Sequence, residues 1–282
     1  MFALAEFLKR TRRPAVMGIV NATGDSFSEG PASAPETAVG RALKLLDDGA
    51  DLLDLGGEST RPGSAPVSEN EEIRRIVPVL TEIKRLRPGT VCSVDTRHAA
   101  VAAAALEAGA EIVNDVSMLR NAPELAELTA RYGAALILCH SRGTPETMQS
   151  PEFCSYPDGV AVTVARELAE AEKLAVAAGV APENILFDPG FGFFAKTAEQ
   201  NWELAARLPL VAPPEKLLIG LSRKGFLGEL TGEKDPMRRG GATLAVELLL
   251  SARAAVVRTH DAGALVQALK AAEKLRKAEE LS

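Results

Sequence analysis

The chemistry in this chain is carried by a small set of polar residues, each standing at the end of a short apolar run. Asp95, Asn114 and Asp188 are one group. A buried carboxylate accepts two parallel hydrogen bonds from the edge of an aminopyrimidine, and buried edge pairings of that kind discriminate strongly between ligands. These three residues therefore suit a flat heterocycle with a donor edge. Asn21, Arg258 and His260, with Arg61, are a second group suited to phosphate or pyrophosphate, its charge softened by a divalent cation. Arg223 and Lys224 add further positive charge. Taken singly, several of these residues also fit plain structural roles. Asp95 fits a helix N-cap, Asn114 fits a cap of the following helix, and Asp188 before Pro189-Gly190 fits a turn. His140 fits a core histidine bonded to backbone, and His98, on the first turn of a helix, is given no role. No Ser–His or Cys–His spacing suggests a covalent nucleophile, and no H-x-H or C-x-x-C pair suggests a fixed metal.

The elements that position these residues follow from hydrophobic periodicity. Short apolar runs at 14–20, 50–55, 91–94, 111–113, 134–139, 184–187, 217–221 and 255–257 read as buried strands. Helical patterns follow at 34–48, 69–85, 98–108, 123–132, 159–178, 197–208, 237–252 and 262–279. Strict alternation of strand and helix implies a parallel sheet. Eight such units predict a closed (β/α)8 TIM barrel, one domain over residues 1–282 with a short lead-in at 1–13. An open doubly wound sheet is the alternative, but no G-x-G-x-x-G opens a helix. In a barrel the residues at strand C-termini share one mouth. That places Asn21, Asp95, Asn114, His140, Asp188, Ser222-Arg223-Lys224, Arg258 and His260 together. The loop at 56–63 joins them with two glycines, Ser59, Thr60, Arg61 and Pro62. It is richer in polar groups than a connection of about 2–6 residues needs.

Composition narrows the partners. The chain has 282 residues, 46% hydrophobic and 25% charged, with a net charge of −6. No basic run suggests nucleic acid, and no apolar stretch is long enough for a membrane span. Three unspaced cysteines and an N-terminus unlike a secretion signal point to a reduced, cytoplasmic chain.

In chain order the motifs Met17 to Ser28, Asp54 to Gly63, Ser93 to Thr96, Asn114-Asp115, His140 to Pro145, Asp188 to Phe193, Leu221 to Lys224 and Arg258 to Asp261 resemble the dihydropteroate synthase family. The resemblance implies a transferase of folate biosynthesis. Its substrates would be 6-hydroxymethyl-7,8-dihydropterin pyrophosphate and p-aminobenzoate, and its products dihydropteroate and pyrophosphate. It assigns Asp95, Asn114, Asp188 and Lys224 to the pterin, with Arg258 beside them, and names Asp95, Asp188, Lys224 and Arg258 as catalytic. Asn21, Arg258 and His260 would hold pyrophosphate, Asn21 also serving Mg2+ as the cofactor. Thr60, Pro62, Phe193 and Ser222 would line the p-aminobenzoate site, with Phe27 and Arg61 on lid loops. A homodimer is implied too, with an apolar patch on the helix at 197–208 or 237–252 as the place to look.

Departures from the family pattern are visible. Gly24 stands where Pro is usual, and Glu29-Gly30-Pro31 replaces Asp-Gly-Gly. Cys139 and Ser141 replace Met residues about His140, and the segment from Phe191 to Lys196 is one residue longer, leaving Phe193 and Phe194 as alternatives for the aminobenzoate wall. Two rivals share the barrel. A methyltransferase pterin domain would not need the anion set of Asn21, Arg258 and His260. A non-catalytic pterin-binding paralogue would be expected to lose lid or anion residues.

Overall fold

A computed structural model describes residues 2–22, 35–58, 67–143, 147, 150–192 and 195–279, without the side chains of 35 and 36. Eight parallel strands form one sheet: β1 (Ala15–Asn21), β2 (Leu52–Gly56), β3 (Val91–Asp95), β4 (Ile112–Asp115), β5 (Ala135–Cys139), β6 (Ile185–Asp188), β7 (Leu218–Ile219) and β8 (Val256–Thr259). The order is β6-β5-β4-β3-β2-β1-β8-β7, and a bridge between Phe187 and Leu217 closes the ring. The helices are α1 (Leu4–Arg10), α2 (Pro35–Asp47), α3 (Glu69–Leu86), α4 (Ala99–Glu107), α5 (Leu125–Tyr132), α6 (Val160–Ala177), α7 (Ala198–Ala206), α8 (Gly225–Thr231), α9 (Gly240–Ser251) and α10 (Ala262–Glu279). The barrel expected from the alternation is the observed architecture.

Side-chain parity divides the strands between two cores. Outward residues such as Val16, Leu53, Val94, Val113, Leu136 and Ile219 pack against the helices. Inward residues Met17, Leu52, Ile112, Ile137, Leu186, Leu218 and Val256 fill the lower lumen. Both faces are buried, which is why the strands read as unbroken apolar runs. The lead-in plugs the lower end. Leu4 is buried in the lumen core, its N–H donates to Asn184 Oδ1 at 3.2 Å, and Asn184 Nδ2 donates to the Phe2 carbonyl at 2.9 Å.

Register then sets the upper rim. Asn21 is level with Gly56, Gly56 with Asp95, and Asp95 with Asn114. Cys139 is level with Asp188. Strand pairing thus brings these residues to one height, which no local spacing could fix.

Two expectations are corrected. The strand expected at 217–221 is reduced to Leu218–Ile219, because the chain leaves the ladder through Gly220 to a turn in which Arg223 has φ 62°. The helix expected from 237 begins at Gly240, and a separate helix, α8, precedes it and was missed. Its seven residues, Gly-Phe-Leu-Gly-Glu-Leu-Thr, are too few to show a convincing period and carry two glycines.

Candidate active site

Arg258 occupies the centre of the barrel mouth. It starts level with Met17, below the rim residues of β1, and its side chain lies between two carboxylates. Nε donates to Asp54 Oδ2 at 2.6 Å and Nη2 to Asp95 Oδ2 at 2.7 Å. Asp54 is fully buried. Its Oδ2 also accepts from Asn114 Nδ2 at 3.0 Å, which orients that amide with its own oxygen as the remaining acceptor. Asn114 Oδ1, Asp54 Oδ1 and Ser93 Oγ are buried with no hydrogen-bond partner among the described residues. Across the lumen, Asp188 Oδ1 accepts from the Gly190 N–H at 2.8 Å. A Cβ built on Gly220 would lie 3.4 Å from Asp188 Oδ2, so bare backbone stands beside that carboxylate. The floor of the mouth is therefore rich in acceptors, and buried unpaired acceptors are costly unless a donor meets them.

The electrostatics follow from this crowding. Burial, with the neighbouring Asp54 and Glu72 charges, pushes the Asp95 carboxyl up to about 7 against the pull of Arg258. Burial also raises Asp188, opposed by the Gly190 N–H, Lys224, Arg258 and Lys196. Lys224 is brought down to about 8, first by burial and then by Arg258. Its side chain runs over Gly192, where a Cβ would come within 2.5 Å of Lys224 Cδ. The mouth therefore holds two carboxylates whose charge state is sensitive to what binds beside them.

Comparison with known proteins fits this arrangement. Residues 17–260 match the pterin binding enzyme family. The chain is 42% identical to dihydropteroate synthase of Neisseria meningitidis serogroup C over 93% of each chain. The chain belongs to the dihydropteroate synthase family. The solved dihydropteroate synthase of Xanthomonas albilineans with 4-aminobenzoic acid superposes with a TM-score of 0.84 at 40% identity, covering 94% of this chain and 93% of that one. The same enzyme in complex with 7,8-dihydropteroate gives a TM-score of 0.81 at 38% identity, covering 94% of each chain.

The residues expected from the sequence divide by their place in the structure. Asp95, Asn114, Asp188, Lys224 and Arg258 surround one mouth. Asn21 ends β1 on the same rim, its carbonyl accepting from Arg41 Nη2 at 2.9 Å. Ser222 and His260 pair with each other, Oγ to Nδ1 at 3.0 Å, and Ser222 Oγ also accepts the His260 N–H at 3.2 Å. Phe27, Thr60, Arg61, Pro62 and Phe193 lie outside the described residues, as do Gly24, Glu29 and Phe194. Arg223 does not join the mouth: its Nη1 bonds Met237 Sδ at 3.0 Å.

Several alternatives left open by the sequence are now decided. Asp95 is not a helix cap, since the cap position of α4 is His98. Asn114 caps nothing and instead bonds Asp54. Asp188 both forms the turn to Gly190 and faces the mouth. His140 is a core histidine, but its partners are side chains: Nε2 meets Glu167 Oε2 at 3.1 Å and Nδ1 meets Lys196 Nζ at 3.0 Å. His98, given no role, bonds Glu72 Oε2 at 2.8 Å. Glu58, Glu72 and His98 bring ligand atoms within 4.8 Å of one another. Both Glu58 oxygens, however, already accept from Arg97 at 3.1 Å, so the group reads as an ion-pair network at the ends of β2 and β3.

Asp54 is the functional residue that sequence reading missed. A signal was available: it is the lone charge in the run Leu52-Leu53-Asp54-Leu55, two positions before Gly56 and so on the same face. A charge in a two-sidedly buried strand needs a buried partner.

Gly190 offers a test of this architecture. Its φ is 71°, and a Cβ there would overlap the His140 carbonyl oxygen. Gly190→Ala is expected to lower stability by about 3 kcal/mol through steric overlap and the left-handed backbone. Urea unfolding measures it, and an unchanged midpoint would contradict the packing.

Proposed function

We propose that this chain condenses 6-hydroxymethyl-7,8-dihydropterin pyrophosphate with p-aminobenzoate to give 7,8-dihydropteroate and pyrophosphate. The observation that carries this reading is the acceptor floor made by Asp95, Asn114 and Asp188, with Arg258 at its centre. A dihydropterin has a donor-rich edge, so each orphaned or ionised acceptor gains a partner when the ring enters.

The steps follow from the residues. Asp95 and Asp188 accept from the ring and hold it flat across the lumen. Loss of pyrophosphate leaves positive charge on the exocyclic carbon, delocalised into the ring. The two carboxylates favour that charge in a site with little water to screen it. Lys224 and the guanidinium of Arg258 are the cations near the departing anion, and the His260 imidazole adds a hydrogen-bonding group there. The arylamine then needs position more than activation, because the electrophile is already formed. Ser222, bonded to His260, would link the anion site to the aminobenzoate site.

Asn21 suits Mg2+. Mg2+ uses few protein ligands and keeps waters and substrate phosphate oxygens, and one amide oxygen at the rim of β1 supplies such a ligand. When bound, the ion would neutralise charge developing on the leaving group.

The deciding assay measures pyrophosphate and dihydropteroate with the pterin substrate and Mg2+, with and without p-aminobenzoate. Dihydropteroate formed only with the arylamine supports the reading. Pterin binding without turnover would make the chain a non-catalytic paralogue.

A homodimer is part of the same reading. Leu230 on α8, Met237 before α9 and Leu249 on α9 are large apolar side chains left 66%, 44% and 74% exposed. Helices α8 and α9 pack against each other, and contiguous exposed apolar groups mark association surfaces. Leu249→Glu is expected to convert a dimer to monomers in sedimentation velocity. A wild type that sediments as a monomer would overturn the assignment.

No described helix is long and apolar enough to cross a membrane. A cytoplasmic location is the companion proposal, resting on three cysteines that form no disulfide.

A further inference from the structure

Behind the acceptor floor lies a buried amine that the proposed reaction leaves unused. Lys196 is 2% exposed. Its Nζ donates to the Gly190 carbonyl at 3.1 Å and meets His140 Nδ1 at 3.0 Å. His140 is fully buried, and burial with the Lys196 charge brings it down to about 3, so the ring is neutral. Its Nε2 faces the Glu167 carboxylate, which can only accept. The ring proton therefore sits on Nε2, and Nδ1 is an acceptor for the lysine.

The connection to the site runs through one residue. Gly190 holds Asp188 with its N–H and is held by Lys196 through its carbonyl. A Cβ on Gly190 would lie 3.3 Å from Lys196 Nζ, so the amine packs directly under this turn. The backbone is strained to deliver the lysine. Ala195, just before it, is a fully buried non-glycine residue with φ 60°, and the Tyr156 hydroxyl clamps its carbonyl at 2.8 Å. Tyr156 in turn carries the Arg142 guanidinium 4.4 Å from its ring centre, and Arg142 pairs with Glu167. A left-handed alanine is strained and persists only where surroundings enforce it. Placing an ammonium in the core is costlier still. Asn201, also buried, fixes the next glycine by accepting the Gly192 N–H at 2.8 Å.

Resting on the function proposed above, we infer that Lys196 is a positioning residue for pterin recognition. It locks the Gly190 peptide so that Asp188 faces the ring, and its charge favours the ionised carboxylate. The groups around the amine are Asp188 and Cys139 on the site side, and His140, Glu167 and Arg142 behind it. Burial brings Lys196 down to about 7 despite Cys139 and Asp188, so the balance within this group is close. Removing the cation leaves the Gly190 carbonyl without its buried donor and takes away one of the charges that oppose the rise of Asp188.

The test uses the full-length chain, with Lys196→Met and, should that variant not fold, Lys196→Gln, which keeps a donor but not the charge. Circular dichroism melts establish folding. Calorimetric titration with 7,8-dihydropteroate and steady-state assays across pH are the readouts. Lys196→Met is expected to weaken pterin binding about tenfold, equivalent to ~1.4 kcal/mol, with KM for p-aminobenzoate changed less than about twofold. The acid limb of kcat/KM for the pterin substrate should move to higher pH in both variants, because Asp188 then holds its proton more tightly. An equal rise of both KM values with an unmoved pH limb in a folded variant would overturn the inference, reducing Lys196 to a core residue. Unchanged dihydropteroate affinity in a folded variant would do so too. A wild type that binds no dihydropteroate would instead overturn the proposed function.

Discussion

Arg258→Met is expected to cost about 3–5 kcal/mol of stability, because removing one partner of a buried ion pair strands the other charge. Here two charges are stranded. Asp54 is fully buried, and Asp95 retains only 14% side-chain exposure. The two bonds lost, at 2.6 and 2.7 Å, are charge-assisted and short. A second consequence concerns pH. The native Asp95 carboxyl lies above its unfolded value, held near 7 chiefly by burial. A carboxyl raised in this way contributes stability that is fully present below the ordinary carboxylate range and lost as pH rises through about 7. Arg258 opposes that rise, so without it Asp95 titrates higher still. The variant's deficit relative to wild type should therefore be smallest at acid pH and grow towards pH 8, where wild-type Asp95 is ionised. Urea unfolding between pH 5 and 8 checks this. Activity should fall by about two to three orders of magnitude, since in the proposed mechanism the same side chain meets the leaving anion. A variant with wild-type stability at pH 8 would show that Arg258 does not neutralise these carboxylates.

Asp188→Asn should separate binding from folding. Burial already raises this carboxyl, so ionising it at neutral pH works against the fold. The sign is as for Asp95: its stability contribution is present at low pH and lost as pH rises. A neutral amide removes that loss, and its oxygen still accepts from the Gly190 N–H. Stability at pH 7 should be equal to or above that of wild type. Binding should suffer, because the amide turns an acceptor into an –NH2 donor facing a donor edge. A loss of about 100-fold in dihydropteroate affinity is expected, ~2.7 kcal/mol, within the range for a charge-assisted bond replaced by a mismatch. Calorimetric titration measures it. Unchanged affinity would remove Asp188 from the pterin contacts.

Much of this architecture is legible in the sequence. Eight apolar runs ending in polar residues specify a parallel sheet buried on both faces, and that periodicity survives into the structure. The residues with distinctive chemistry, Asp95, Asn114, Asp188, Lys224 and Arg258, stand out because they end strands, and strand ends meet in a barrel. Where the elements are short the pattern fails. Strand β7 has two paired residues and α8 has seven, too few for a period to register. Arg223 is placed in the mouth by its neighbour Lys224 when only the sequence is read. A left-handed φ at Arg223 instead turns it towards Met237.

The sequence by itself determined the strand count, the alternation and the polar ends, because those depend on local pattern. Only the tertiary structure decided which polar groups touch. Arg258 reaches Asp54 across 204 positions and Asp95 across 163, through strand register and closure of the ring. Asp54 looked like one polar residue within an apolar strand until parity turned it into the lumen beside Arg258. Lys196 looked like the end of a loop until the Ala195 turn carried it under Gly190. The physical reason is the same for both. A buried charge takes its meaning from its partner, and partners in a barrel are chosen by pairing register and chain reversal, which act over distances no sequence window spans.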